Sequence, residues 1–380
     1  MTKSLQLARL FKKAGYRVVL SETRKYRWAG PRFSRAVDDF VLIPDPKEGQ
    51  EIYTAGLVEK VRQAGADFFI PVASPVASVY DAFSRKELEK YCRVIHWEMD
   101  EVQVLDDKFQ FCSKARDYGL NAPKVYQVKS REEVENFEFS AHENPFILKS
   151  IRYDSIERLD LRKLPHEGLS ERLGGLEISD ERPWVLQEFI EGDEYCTHGT
   201  VVDGALTLYC CCQSSPFQVN YQHIEVPEIR RWVETFVGQF GGTGQASFDF
   251  IKTKEGEVFP IECNPRTHSA ITTFYKNSAV APAFLERPDR TQTPQKENRP
   301  TYWLAHETWR LLRNPVAYGK TFRKRLLEEK EAVWDPDDPL PFFCLHHLHI
   351  PSLLLQAAWK GRAWKRIDFN IGKLVEEGGD

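Results

Sequence analysis

Asp249, Glu262 and Asn264 are the residues of this 380-residue chain whose types and spacing most directly suggest chemistry. The two carboxylates stand 13 residues apart and bracket Glu255-Gly256, a turn signal. An antiparallel hairpin would therefore set them opposite each other across its ladder. Glu262 and Asn264 are two apart, so they share a strand face. Two carboxylates and an amide oxygen on one face make a hard-oxygen site of the kind Mg²⁺ takes while keeping waters and sharing phosphate oxygens. The apolar neighbours Phe248, Phe250, Phe259 and Ile261 predict that the hairpin is packed rather than free. Two upstream lysines fit a phosphate-bearing partner. Lys108 follows Asp106-Asp107 at the start of a predicted helix, where the helix N-terminus favours anions. Lys149 ends the apolar run Phe146-Ile147-Leu148, which buries its stem and leaves the ammonium projecting. Together the five residues read as a triphosphate cradle.

Several elements must position these groups. Leu5, Leu7, Leu10 and Phe11 recur at helical spacing, and Gly15 closes that turn. Strands are predicted at 17–20, 40–43 and 67–70, with a helix at 51–63 between the last two. Strands alternating with helices imply a parallel sheet whose ligands sit at the strands' carboxyl ends. A second unit begins near Leu105 with a helix over 107–118, followed by strands at 124–128 and 146–149. Strands at 184–189, 195–202 and 205–212 come next, the last two joined by Asp203-Gly204, a strong hairpin signal. A helix at 228–240 precedes the hairpin formed by 246–252 and 258–263. The Pro-, Arg- and Gln-rich stretch 284–300 reads as a linker, and helices at 303–312 and 318–329 open a helical tail. The expected division is an N-terminal α/β domain over 1–104, a two-lobed domain over 105–283, the linker 284–300 and a mainly helical extension over 301–380.

Composition excludes some functions. The chain carries 52 Lys and Arg against 56 Asp and Glu, a net charge of −4, which argues against a protein built around nucleic-acid phosphates. No apolar run reaches the roughly 18 residues of a membrane span, and no signal-peptide pattern is visible. The tail from Phe342 to Arg366 mixes Leu, Trp, Lys and Arg; it could lie on lipid, but packing on the core is the favoured expectation. The eight cysteines show no C-x-x-C pair, and adjacent strand residues face opposite ways, so Cys210-Cys211-Cys212 is expected to hold no metal. Free thiols and the absence of targeting signals predict a cytoplasmic protein.

The order of motifs resembles the ATP-grasp superfamily: Leu-Asp-Asp-Lys108, Ile-Leu-Lys149, Leu-Gln187-Glu188-Phe189-Ile190-Glu-Gly192-Asp-Glu194, Phe-Asp249-Phe and Ile-Glu262-Cys-Asn264-Pro-Arg266. The resemblance implies an α/β protein of two α+β lobes, behind a parallel pre-ATP-grasp domain and ahead of a helical tail. That family usually opens with a strand, which this chain is expected to lack. The resemblance further implies ATP and Mg²⁺ as cofactors. Lys108 and Lys149 would hold phosphates. Gln187, Glu188, Phe189 and Ile190 would form the adenine-reading hinge, and Glu194 would accept the ribose hydroxyls. Asp249, Glu262 and Asn264 would bind magnesium, and Arg266 would neutralise charge in phosphoryl transfer. The family's glycine-rich phosphate lid is replaced here by Ser150–Arg158, where Ser155 and Arg152 would supply the contacts.

Narrower motifs are similar to the cyanobacterial mycosporine-glycine synthases, ATP-grasp ligases that join 4-deoxygadusol to an amino acid. They are Ser74-Pro-Val-Ala-Ser78, the cysteine run with Gln213-Ser214-Ser215, Phe217–Tyr221, Asn264–Ser269 and 366–373. The implied substrates are 4-deoxygadusol and glycine, with a carboxylate–amine ligase on another amino acid or peptide left open. His268 and His198 are candidates for substrate orientation or proton transfer. Ser269, Ser74, Ser78, Asn220 and Arg152 are candidates for polar contacts to the substrate.

Overall fold

The computed structural model describes residues 1–72, 75–151, 160–214 and 220–375. The chain begins with helix α1 (Thr2–Lys13). Strands β1 (Val19–Thr23) and β2 (Asp39–Ile43) pair in parallel, and helix α2 (Gln50–Ala64) follows. Strand β3 (Phe68–Phe69), helix α3 (Pro75–Leu88) and strand β4 (Arg93–Val94) complete a second parallel pair. The expected parallel layer is thus present as two separate two-stranded sheets rather than one. Two residues per strand in β3 and β4 make too few ladder bonds to extend further.

Helices α4 (Met99–Asp106) and α5 (Lys108–Asp117) lead into the second unit. Asp107 caps α5 by accepting from the amides of Phe109 at 2.8 Å and Gln110 at 3.1 Å, which satisfies orphan donors of the first turn and fixes where Lys108 stands. Strands β5 (Val125–Val128), β6 (Phe146–Ser150) and β7 (Trp184–Glu188), with short helices α6 (Arg131–Glu135) and α7 (Leu169–Gly174), form an antiparallel sheet of order β5-β7-β6. Its core is Leu148, Leu186, Trp184, Val134 and Leu173.

A four-stranded antiparallel sheet of order β11-β10-β8-β9 follows: β8 (Asp193–Val202), β9 (Ala205–Gln213), β10 (Gly244–Lys252) and β11 (Val258–Asn264). Period-2 alternation divides it cleanly. Cys196, Cys210 and Cys212 enter a core shared with Leu5 and Leu10 of α1, while Cys211, Phe248 and Phe250 enter the core on the other side. That second core is covered by helix α8 (Pro227–Phe240), whose Trp232 and Phe236 pack against Phe248 and Phe111 of α5. All eight cysteines are free.

Two expectations are corrected here. Residues 284–300 are not a free linker. After helix α9 (Val280–Leu285), Gln292 donates to Thr207 O and accepts from Tyr209 N, both at 2.8 Å, and Thr291 donates to Leu206 O. Strand β9 lies at the sheet's edge, and this segment caps its unpaired backbone groups. Nor do all of residues 1–104 close on themselves: Tyr53, Leu57, Val61, Leu88 and Val94 share a core of their own, but α1 lies outside it. α1 packs on the four-stranded sheet, α9 and the tail, with Arg9 paired to Asp338 at 2.9 Å and Thr2 Oγ1 donating to Asn370 O at 2.7 Å. The tail comprises α10 (Leu304–Arg313), α11 (Pro315–Glu328), α12 (Leu340–Cys344), a π turn over Leu345–His349, and α13 (Ile350–Trp359). Leu345, Ile350, Leu353 and Ala357 are buried in the same core as α1, so part of the tail does pack on the body.

Candidate active site

The hairpin β10–β11 sets Asp249 opposite Glu262 and Ser247 opposite Asn264. The register slips immediately after Asp249, so that Phe250 faces Pro260 and Ile261 bulges out of the ladder. Bulges re-aim side chains beside active sites, and this one also frees a carbonyl. Ile261 O accepts a 2.9 Å hydrogen bond from Gln187 Nε2, which ties the end of β7 to the carboxylate hairpin.

A polar chain runs from this hairpin. Lys108 Nζ lies 3.7 Å from Glu262 Oε2, Asn264 Nδ2 donates to Glu262 Oε1 at 3.3 Å, and Arg266 Nη2 donates to Asn264 Oδ1 at 2.5 Å. Arg266 Nη1 is buried with no hydrogen-bond partner among the described residues. Burial and the repulsion of Glu262 push the Asp249 carboxyl well above the usual carboxylate range. Burial also opposes charge on Glu262, but Lys108 and Lys149 outweigh it, helped by hydrogen bonds from Asp249 and Asn264, and hold that carboxyl at about 2. The two carboxyls are thus pushed in opposite directions, Asp249 toward its protonated form and Glu262 toward its charged one. Burial lowers Lys149, partly offset by Glu262, and raises Glu194.

This donor set fits a hard divalent cation. A buried carboxylate pair that keeps a proton to limit its own repulsion is a place where a cation substitutes for that proton. Among the described residues no group of three or more His, Cys, Asp and Glu side chains is arranged around a metal position, so any ion here must complete its shell from phosphate oxygens and water.

The site opens into a cavity of about 2630 Å³ lined by Lys108, Lys149, Glu194, Asp249, Glu262, Asn264, Arg266, His268 and Ser269, and also by Asp106, Glu22 at the end of β1, and Asn370 and Lys373 of the tail. The structure thus brings together both lysines, the carboxylate hairpin, Arg266, Glu194, His268 and Ser269. It places other expected residues elsewhere. Ser78 is buried behind the wall, where its Oγ donates to Pro265 O at 3.3 Å and its carbonyl accepts from His96 at 2.9 Å; it braces the Pro265-Arg266 turn instead of facing the cavity. Asn220 is buried and donates to Glu307 Oε1 at 3.2 Å, joining β9's exit to α10. His198 lies under His268, accepting its backbone amide at 3.3 Å. Burial lowers both imidazoles to about 3, which favours their neutral forms. The edge-to-face contact of the His268 ring with Tyr221, at 5.2 Å between centroids, fixes its position.

Along the segment expected to form the hinge, the Glu188 carboxylate accepts from Lys124 N at 2.9 Å and Asn144 Nδ2 at 3.0 Å, Lys163 sits 4.3 Å over the Phe189 ring, and Ile190 is half-buried between β7 and β8. The side chain of Gln187 is engaged by Ile261, and its Oε1 is buried without a partner among the described residues. Ser74, Arg152 and Ser155 lie outside the described residues.

Sequence reasoning missed Gln245, which is buried on β10. Its side chain donates to Pro71 O at 3.3 Å and accepts from Thr267 Oγ1, while its carbonyl accepts from Trp97 Nε1 at 2.7 Å. It fastens the turn that carries Arg266 to the end of β3. A lone glutamine in an apolar strand was the only available signal.

No protein-family model and no curated protein matches the chain. Solved structures do match in fold. An L-amino acid ligase from Bacillus licheniformis aligns over 73% of this chain with a TM-score of 0.53 and 16% identity; the match spans 66% of the ligase's length, just under two thirds. An N5-carboxyaminoimidazole synthetase from Staphylococcus aureus complexed with ADP aligns over 79% of this chain and 78% of its own, with a TM-score of 0.58 and 13% identity. The biotin carboxylase domain of a Hydrogenobacter thermophilus 2-oxoglutarate carboxylase, in complex with MgADP and bicarbonate, aligns over 77% and 69%, with a TM-score of 0.59 and 16% identity. The chain is an α/β protein with the ATP-grasp fold that its motif order implied.

Proposed function

We propose that this protein is an ATP-dependent, ADP-forming ligase that makes a C–N bond. The observation that carries the reading is the convergence of Lys108, Lys149 and Arg266 on the paired carboxylates Asp249 and Glu262 at the wall of one cavity. Lys108, Lys149 and the buried Nη1 of Arg266 would bind phosphoryl oxygens, and Arg266 would gain strength as charge develops in transfer. Glu194 would hold the ribose. Asp249, Glu262 and Asn264 would hold Mg²⁺, which supplies charge neutralisation at the transferring phosphoryl group. An acceptor oxygen would take the phosphoryl group with ADP leaving. A neutral amine would then add at the activated carbon, and phosphate would depart with the C–O electron pair.

For the acceptor we favour 4-deoxygadusol, with glycine as the amine, giving mycosporine-glycine. The support is the set of motifs around Ser214, Asn220 and Asn264–Ser269. Neutral His268 and Ser269 would then orient the ring oxygens. The likeness to an L-amino acid ligase favours a second reading, a carboxylate–amine ligase acting on another amino acid or peptide. Purified protein with Mg²⁺ and ATP, given 4-deoxygadusol and a panel of amino acids, distinguishes them by ADP release and product mass. A glycine adduct that needs both partners is expected; ADP release with amino acids alone would favour the second reading, and no release with either would refute both.

A further inference from the structure

The tail carries a surface that the ligase reading does not use. Between residues 308 and 327 and between 339 and 367 the chain has ten Lys and Arg residues and no Asp or Glu, although its net charge is −4. Eight of those ten are exposed, four of them between Lys360 and Arg366. Large apolar side chains stand out among them. Val316 and Trp359 are more than 90% exposed, Leu355 and Leu312 70% or more, and Trp309 62%. Helix α11 buries none of its residues. The two segments meet at one cavity, which Trp309, Leu312 and Arg313 of α10 and Lys360, Arg362 and Trp364 after α13 all line.

We propose that this face docks the protein on an anionic lipid bilayer, with Trp309 and Trp359 seated in the headgroup layer. The occupant is chosen by chemistry. Exposed tryptophan and aliphatic side chains interleaved with lysine and arginine gain from the acyl boundary and from negative headgroups at once. Nucleic acid would satisfy the charge, but it offers Leu312, Val316 and Leu355 no apolar volume to enter. A second copy would set two strongly basic faces against each other, and like charges directly opposed repel. Docking would turn the cavity mouth toward the membrane. No helix among the described residues is long and apolar enough to cross it, so the attachment is peripheral. The inference stands apart from the ligase reading, since none of these residues touches the carboxylate hairpin.

The test is vesicle flotation of the full chain, with phosphatidylcholine alone and with roughly a quarter phosphatidylglycerol added, at low and high salt. Binding is expected only to the anionic vesicles and to weaken with salt. Trp309→Ser with Trp359→Ser, and separately Lys360→Glu with Arg362→Glu, should each lower the partition by about tenfold or more at unchanged melting temperature. A blue shift of tryptophan emission on binding should be lost in the first variant. No flotation with anionic vesicles at low salt would overturn the proposal, as would flotation that both variants retain. A shift of an RNA oligonucleotide in place of vesicle binding, or a dimer that Trp309→Ser dissolves, would also overturn it and reassign the face.

Discussion

Asp81 gives the protein a built-in pH dependence whose size follows from its surroundings. It sits on α3, almost fully buried, and its Oδ1 accepts a 2.6 Å hydrogen bond from Tyr53 on α2. Burial pushes its carboxyl up from 3.8 to about 7, against the opposing pull of the tyrosine hydroxyl. The folded protein therefore holds a proton on Asp81 that the unfolded chain releases near pH 4. Between those values the folded state binds more protons, so stability is complete below pH 4 and falls as pH rises toward 7. At about 1.4 kcal/mol per unit over roughly three units, up to about 4 kcal/mol is lost by pH 8. Asp81→Asn keeps the shape and an acceptor for Tyr53 but cannot ionise. Urea unfolding at pH 5 and pH 8 is the assay. Between pH 5 and pH 8 the variant should gain about 2–3 kcal/mol of stability on the parent. Parallel pH slopes in the two proteins, or a variant weakened equally at both, would refute the reasoning.

Further outcomes concern the site. Asp249→Asn or Glu262→Gln should cut ADP formation by about a hundredfold or more, several kcal/mol of lost charge stabilisation, while circular dichroism stays unchanged; turnover near the parent level would remove the metal assignment. Arg266→Ala should lower kcat more than it raises the KM for ATP, because its contact strengthens in the transition state, and a change in KM alone would make it a ground-state ligand. Gly192→Ala should destabilise the β7–β8 connection by more than about 1 kcal/mol in thermal unfolding, since an added Cβ would fall 2.2 Å from Lys252 O.

The parts of the site that were legible in the sequence are those fixed by local geometry. A tight turn at Glu255-Gly256 dictates that Asp249 faces Glu262, and an aspartate before Lys108 dictates where α5 begins. Strand alternation was enough to send Cys211 and Cys212 to different cores. What could not be read depends on long-range packing. Ser78 and Asn220 carry the right groups for substrate contact, yet both are spent on bracing, the first under Pro265 and the second on Glu307, nearly ninety residues away. The polar stretch 284–300 has a linker's composition, but an open edge on β9 requires backbone partners and this segment supplies them.

Gln187 shows how the two kinds of information meet. Its place at the end of β7 was evident from the motif, and so was its proximity to the hinge. The bulge at Ile261 was not, because it depends on how β10 and β11 slip past one another after Asp249. That slip gives one carbonyl to Gln187 Nε2 and leaves Oε1 buried without a partner. A buried, unsatisfied amide oxygen costs roughly 1–3 kcal/mol, so a ligand donor reaching it would recover that cost on binding. Gln187→Glu tests the point. A carboxylate there would strain against Ile261 O and weaken nucleotide binding measured by calorimetry, whereas Gln187→Met should relieve the unsatisfied oxygen, keep the fold and still lose affinity. Affinity equal to the parent in Gln187→Met would show that this oxygen never meets the ligand, and would return Gln187 to a purely structural clasp between the two lobes.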